Sequence, residues 1–218
     1  MVSNWLSIRR FISLFFAPAS IGLIWHMLYG ETLAQQLLAL ALALFCIELA
    51  VMAKVDLDNI ATVQQTARQT PQQSDSQLYQ FSLVVASTIV LELLGFYMAL
   101  FSLPMGALIV VFSQLWFNLL AQIQVCPEQS PAIVSFGLSQ RTPVLLADGA
   151  GLVLLSLWFA PGLSPLVSLE LTPSFVTQLR RGLGGGLLAL VVLFLLVKYV
   201  APGVSSITSS RSKETKNR

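Results

Sequence analysis

Six mostly apolar stretches occupy most of the chain, and each is long enough to cross a lipid bilayer as an α-helix. A spanning helix needs about 20 such residues, because it rises about 1.5 Å per residue through about 30 Å of hydrocarbon. The stretches cover residues 11–29, 33–55, 79–103, 105–125, 144–160 and 182–201. They predict an all-α integral membrane protein, a bundle of six transmembrane helices formed by residues 1–203.

The composition agrees with a lipid environment. Charged residues make up 10% of the 218 residues and hydrophobic residues 56%, whereas a soluble domain carries about 25% charged residues. A soluble fold of this size has too little interior to bury so much apolar surface. A membrane β-barrel would need short segments in which polar and apolar residues alternate. The six stretches do not alternate, so helices in a lipid bilayer are expected.

Proline and glycine mark the predicted helix boundaries. A threonine followed by proline favours a helix start, and proline also favours a chain reversal after a helix. The predicted starts are Thr142-Pro143 and Thr172-Pro173, the latter opening a short helix over 173–181, and the predicted ends are Cys126-Pro127 and Pro202-Gly203.

The basic residues predict the orientation, because Lys and Arg concentrate in cytoplasmic loops. With six spans and the N-terminus inside, ten of the twelve basic residues lie inside, and Arg180 and Arg181 lie outside. If residues 11–29 did not span, the other five helices would invert and the basic tail would lie outside. Both termini are therefore expected in the cytoplasm, in a bacterial-type inner (plasma) membrane or, alternatively, a thylakoid membrane.

The two ends of the chain each leave an alternative. Arg9-Arg10 and the later Ala17-Pro18-Ala19 resemble a signal peptide with its cleavage site. The apolar run before that site has only six residues, and apolar sequence continues to Tyr29, which favours an uncleaved anchor. Residues 204–218 predict a basic, disordered cytoplasmic tail. Two explanations of its basic residues stay open: the tail contacts anionic lipid, or its positive charge only keeps it on the cytoplasmic side.

Polar residues inside the predicted spans are the candidate functional residues. A charged carboxylate in the middle of a bilayer costs about 3 kcal/mol on insertion scales, so each should face protein or water. Amide side chains at intervals of four share one face of the fourth helix. Together they predict a polar seam between the second, third, fourth and fifth helices, formed by Glu48, Glu92, Gln114, Asn118, Gln122 and Asp148.

Two interpretations of this seam stay open. The seam could bind a proton, a cation or a polar head group. It could also consist of interhelical hydrogen bonds that hold the bundle together, each worth about 0.6 kcal/mol. For Asp148 the favoured interpretation is an acid near the start of its helix, stabilised by the helix dipole and by Arg141 two turns away.

Few residues are suited to cofactors, metals or nucleic acid. His26 is the only histidine, and Cys46 and Cys126 are the only cysteines. They exclude a haem held by two histidines and a Cys/His zinc site within one chain, so neither cofactor nor metal is expected. His26 stands beside Trp25 and Tyr29, which predicts an aromatic belt at the membrane surface. The net charge of +2, without a basic stripe outside the tail, predicts no nucleic-acid binding.

The sequence favours a protein that is not an enzyme. It has no nucleophile motif, no HExxH and no histidine–carboxylate pair. The main expectation is a subunit, assembly factor or organiser of a larger complex, with lipid and other membrane proteins as partners. A small transporter or channel that uses the intramembrane carboxylates is the first alternative. An enzyme acting on a lipid is the second, and it would need a pocket lined by Asp56, Asp58 and Arg68.

Overall fold

Six helices and one short hairpin make up the described part of the chain, in a computed structural model that describes residues 3–67, 75–125, 133–135, 137–159 and 172–215. In chain order the elements are α1 Ser3–Tyr29, α2 Leu33–Ala67, α3 Asp75–Ala99, α4 Leu103–Leu120, β1 Ile123–Val125, β2 Ile133–Ser135, α5 Leu138–Phe159 and α6 Pro173–Thr215. The predicted helical architecture is confirmed, and the hairpin is an addition to it.

Five of these helices, α2 to α6, are long and apolar enough to cross a membrane. In α1, the described apolar stretch Leu14–Tyr29 is shorter than a full span. A membrane location is thereby supported. The sixth span and the sidedness of the bundle stay predictions.

Helix α1 packs against α2 and α3. Phe16, Ala19 and Leu23 recur on one face and are almost fully buried. The Phe16 ring meets Phe96 of α3 edge to face, with ring centroids 6.1 Å apart, and Ser20 Oγ donates to the sulfur of Cys46 in α2 at 3.2 Å. The segment that resembles a signal peptide is therefore integrated with the bundle.

Helices α3 and α4 form a close antiparallel pair joined by residues 100–102. A Cβ atom at Gly106 would overlap the backbone of Ala99, and one at Gly95 would lie 2.6 Å from a methyl group of Val110. Glycine at both positions lets the two backbones approach more closely than other side chains permit. This contact places polar residues of α3 and α4 within hydrogen-bond reach.

Helices α2 and α6 run side by side in the same direction. Gly184 lies against Ala34, where a Cβ would be 2.9 Å from the Ala34 carbonyl oxygen. Further along both helices, the rings of Phe45 and Phe194 meet edge to face, with centroids 6.1 Å apart. In each of these contacts, the residue of α6 therefore lies about 150 positions later in the sequence than its partner in α2. This register decides which residues of α6 meet the carboxylate in α2.

The fourth helix ends earlier than predicted, at Leu120 instead of Val125. The next residues pair as the antiparallel hairpin, with Ile123 opposite Ser135. Ile123 and Val125 are buried and Gln124 is exposed, and such alternation of β-branched and polar residues favours a strand. The Asn59 amide of α2 donates to the Val125 carbonyl at 3.3 Å and fixes the hairpin to the bundle.

The fifth helix begins earlier than predicted, at Leu138, so that Pro143 lies inside it. A proline inside a helix leaves the carbonyl four residues before it without its usual backbone donor. The Thr142 hydroxyl donates to that carbonyl, on Ser139, at 3.0 Å. A nearby hydroxyl therefore replaces the missing bond, and the helix continues through a residue pair that the sequence analysis treated as a start.

The sixth helix begins at Pro173 and runs as one piece to Thr215. The predicted start at Thr172-Pro173 is confirmed, and the predicted short helix 173–181 is the first part of this longer one. The backbone stays helical past Pro202-Gly203 and over 204–215, which differs from the predicted disordered tail. A proline removes one backbone donor, which bends or ends a helix according to its surroundings.

Candidate functional site

Among the described residues, the polar side chains of the predicted seam form three separate cross-helix groups instead of one seam. Each group joins a different pair of helices: α3 to α4, α4 to α5, and α2 to α6. Five of the six predicted residues take part, namely Glu48, Glu92, Gln114, Asn118 and Asp148, and all five are buried. Their role as a functional site stays a prediction.

Glu92 and Gln114 join α3 to α4. Gln114 Nε2 donates to Glu92 Oε1 at 2.8 Å, and the two residues are 4% and 8% exposed. The second carboxylate oxygen, Glu92 Oε2, has no hydrogen-bond partner among the described residues. Glu92 lines a crevice of about 20 Å³ together with Asp56 and Thr88. This volume suits a guest of the size of one water molecule.

Asn118 and Asp148 join α4 to α5. Asn118 Nδ2 donates to Asp148 Oδ2 at 2.8 Å. Because α5 begins at Leu138, Asp148 lies about 15 Å along its helix, too far from the N-terminus for the helix dipole to stabilise it. The predicted role of Asp148 as a near-terminal acid is therefore wrong. Asp148 is an interior residue with a partner on the neighbouring helix.

Arg141 closes the end of α4. Its guanidinium donates to the backbone carbonyls of Phe117 and Asn118 at 3.3 and 3.2 Å, and it lies 5.7 Å from the centroid of the Phe117 ring. These carbonyls belong to the last turn of α4, where a cation is stabilising; the Phe117 carbonyl also accepts the backbone N–H of Ala121 at 2.8 Å. The residue is 5% exposed, so Arg141 connects the start of α5 to the end of α4 through a buried contact.

Glu48 joins α2 to α6. It forms an ion pair with Lys198, and the Tyr199 hydroxyl donates to its second oxygen at 2.7 Å. The predicted seam placed Glu48 with the third, fourth and fifth helices, and neither Lys198 nor Tyr199 was predicted as its partner. Lys198 was visible as the one basic residue inside the last span, but the register between α2 and α6 that brings it to Glu48 has no sequence signature.

Gln122 does not belong with the other amides. It follows the end of α4 and is exposed. The predicted stripe at intervals of four needed a helix that continues at least to Gln122. Since the helix stops at Leu120, the stripe consists of Gln114 and Asn118 alone.

Only part of the pocket that a lipid enzyme would need lies among the described residues. Asp56 lines the small crevice at Glu92, whereas Arg68 lies outside the described residues. Within the searched part of the chain, no group of three His, Cys, Asp or Glu side chains is placed to hold a metal ion. A second, mostly apolar space of about 60 Å³ lies between α2, α4, α5 and α6 and is lined by Gln114 and Asp148.

His26 lies at the opposite end of the bundle from Lys198. Its Nε2 atom is 3.0 Å from the carbonyl oxygen of Leu100, and because a carbonyl only accepts, Nε2 carries the proton. This bond ties the end of α1 to the turn between α3 and α4. The rings of Trp25 and Tyr29 stack nearby, with centroids 4.2 Å apart.

Comparison with protein-family models, with curated proteins and with solved structures finds no match to this chain. Functional inference therefore depends on the residues and contacts described above.

Proposed function

We propose that this chain is a non-catalytic multi-pass membrane protein that serves as a subunit, assembly factor or organiser of a larger membrane complex. The observation that carries the proposal is the pairing of three carboxylates within the predicted spans with neighbouring helices. Glu48, Glu92 and Asp148 each bind a side chain from another helix of the same chain. Their chemistry is used to hold the bundle together.

A carboxylate that serves transport needs an open route to water on at least one side. Glu92 is 4% exposed and bonded to α4, and Glu48 and Asp148 are 5% and 9% exposed. Such buried, bonded groups are typical of polar contacts that stabilise membrane helices against one another. The arrangement thus favours a scaffold over a conduit for polar solutes.

A transporter remains the second candidate because of one specific observation. Glu92 Oε2 has no hydrogen-bond partner among the described residues, and Glu92 lines a small crevice together with Asp56. A space of about 20 Å³ limits the cargo to a proton or a small cation. Transport by reconstituted protein that is lost in Glu92→Gln and kept in Glu31→Gln, an exposed carboxylate outside the crevice, would favour this candidate.

The topology is part of the proposal. We place six spans in a bacterial-type inner (plasma) membrane, with a thylakoid membrane as the alternative, and both termini in the cytoplasm. The distribution of the twelve basic residues supports this orientation, and the packing of α1 into the bundle supports its retention as a span. Reporter fusions at the C-terminus and after Gly30 test it: the C-terminal reporter should lie in the cytoplasm and the Gly30 reporter outside, and the reverse would contradict the six-span topology.

Purification of the tagged chain from its own membranes in a mild detergent tests the complex directly. We expect a particle larger than the 23.7 kDa chain with its micelle, containing a second membrane protein in constant proportion over several preparations. The same tag on an unrelated multi-pass protein is the control. A lone chain that elutes without a constant companion would contradict the proposal.

A further inference from the structure

A cavity of about 700 Å³ opens at the end of the bundle where α1 ends and α2 begins. Its walls also include the turn between α3 and α4, the end of α5 and the first turns of α6. Sites for small molecules commonly measure about 300–1,000 Å³. This cavity is therefore large enough for a ligand, unlike the two small spaces in the middle of the bundle.

The charge of the lining favours an anion. Arg180 and Arg181 both line the cavity and are exposed, and neither forms an ion pair with a carboxylate of the described residues. The lining contains one described carboxylate, Glu31. Two guanidinium groups against one carboxylate leave an excess of positive charge, and guanidinium binds phosphate through paired hydrogen bonds.

The remaining lining favours an amphiphile over a wholly polar ion. Trp25, Tyr29 and Trp158 line the same cavity, and Trp158 is 6% exposed. Trp and Tyr side chains concentrate where the hydrocarbon of a bilayer meets its head groups. Cationic and aromatic groups thus lie side by side, as the polar and apolar parts of a lipid would require.

We propose that this cavity binds a phosphate ester, with Arg180 and Arg181 holding the phosphate and the aromatic side chains contacting the apolar part of the ligand. A phospholipid head group and a soluble phosphate ester share this chemistry. The proposal is independent of the proposed role in a larger complex.

Binding to the full chain in an uncharged detergent tests the proposal. The probes are short-chain phosphatidylglycerol, phosphatidylcholine with the same chains, and inorganic phosphate, counted as bound ligands by native mass spectrometry. Phosphatidylglycerol should bind more tightly than phosphatidylcholine. Each of Arg180→Gln and Arg181→Gln should weaken it about tenfold, as expected for loss of one charge-assisted hydrogen bond. Lys54→Gln, which removes one positive charge outside the cavity, should leave binding unchanged.

The competing probe identifies the source of the ligand. If inorganic phosphate displaces phosphatidylglycerol, the phosphate alone suffices and a soluble ester is supported; if it does not, a lipid is supported. Equal affinity for phosphatidylglycerol in the wild type and in the double Arg180→Gln/Arg181→Gln variant would overturn the assignment. Both arginines are exposed, so the variants should fold normally, and unchanged thermal unfolding verifies this.

Discussion

The ion pair between Glu48 and Lys198 should respond unequally to removal of its two partners. The Glu48 side chain is 6% exposed and the Lys198 side chain 34%. Lys198→Met leaves a buried carboxylate whose remaining described partner is the Tyr199 hydroxyl. Glu48→Gln leaves a lysine that is already partly exposed and can extend its ammonium towards water. Loss of the lysine should therefore destabilise the protein more.

The magnitudes follow from these exposures. Removing one partner of a fully buried pair costs about 3–5 kcal/mol, and the exposure of Lys198 reduces this to about 2–3 kcal/mol for Lys198→Met. Glu48→Gln keeps an acceptor for the Tyr199 hydroxyl and should cost about 1 kcal/mol. The difference of about 1.4 kcal/mol corresponds to a factor of about 10 in the unfolding equilibrium constant.

Unfolding in mixed micelles, followed by tryptophan fluorescence as the denaturing detergent is increased, measures both variants. The double variant completes a thermodynamic cycle, and it should be more stable than Lys198→Met alone because the uncompensated carboxylate is gone. A cost of Glu48→Gln equal to or above that of Lys198→Met would refute the reasoning, as would additive effects in the double variant.

Two further comparisons test the remaining contacts by the same unfolding assay. Asn118→Ala removes the hydrogen bond to Asp148 and should lower the free energy of unfolding by about 1–2 kcal/mol. Gln122→Ala, at an exposed position beyond the helix end, should change it by less than about 0.5 kcal/mol. Similar losses of stability in the two variants would contradict the shortened α4. Gly106→Leu forces α3 and α4 apart and should cost about 2 kcal/mol or more, whereas Gly149→Ala, with no neighbour within 4 Å of the added Cβ, should be neutral or slightly stabilising. A stable Gly106→Leu protein would show that the close helix contact is absent.

The sequence predicts the helices well because the length of an apolar run sets the length of a span. It also predicts which polar residues are buried, since a carboxylate or amide within such a run must find protein or water. The candidate residues Glu92, Gln114, Asn118 and Asp148 were found this way, and all four lie in buried contacts between adjacent helices.

The helix boundaries and the side-chain partners on neighbouring helices were harder to predict, for two physical reasons. At Pro143 a threonine hydroxyl replaces a backbone bond, so a residue that usually starts or breaks a helix lies inside one. Between α2 and α6, partners lie about 150 residues apart, and the register depends on where Gly184 lets the backbones meet. Local patterns carry no information about such a register, which is why Lys198 and Tyr199 were not assigned to Glu48.

The distance in sequence between Glu48 and its cation has a consequence for biosynthesis. The lysine is made 150 residues after the glutamate, a delay of about 10–30 s at common rates of translation. During this interval the newly inserted second helix holds an acid without its counter-ion. A ribosome-stalled chain that ends before the last helix should therefore be degraded faster than the same chain carrying Glu48→Gln.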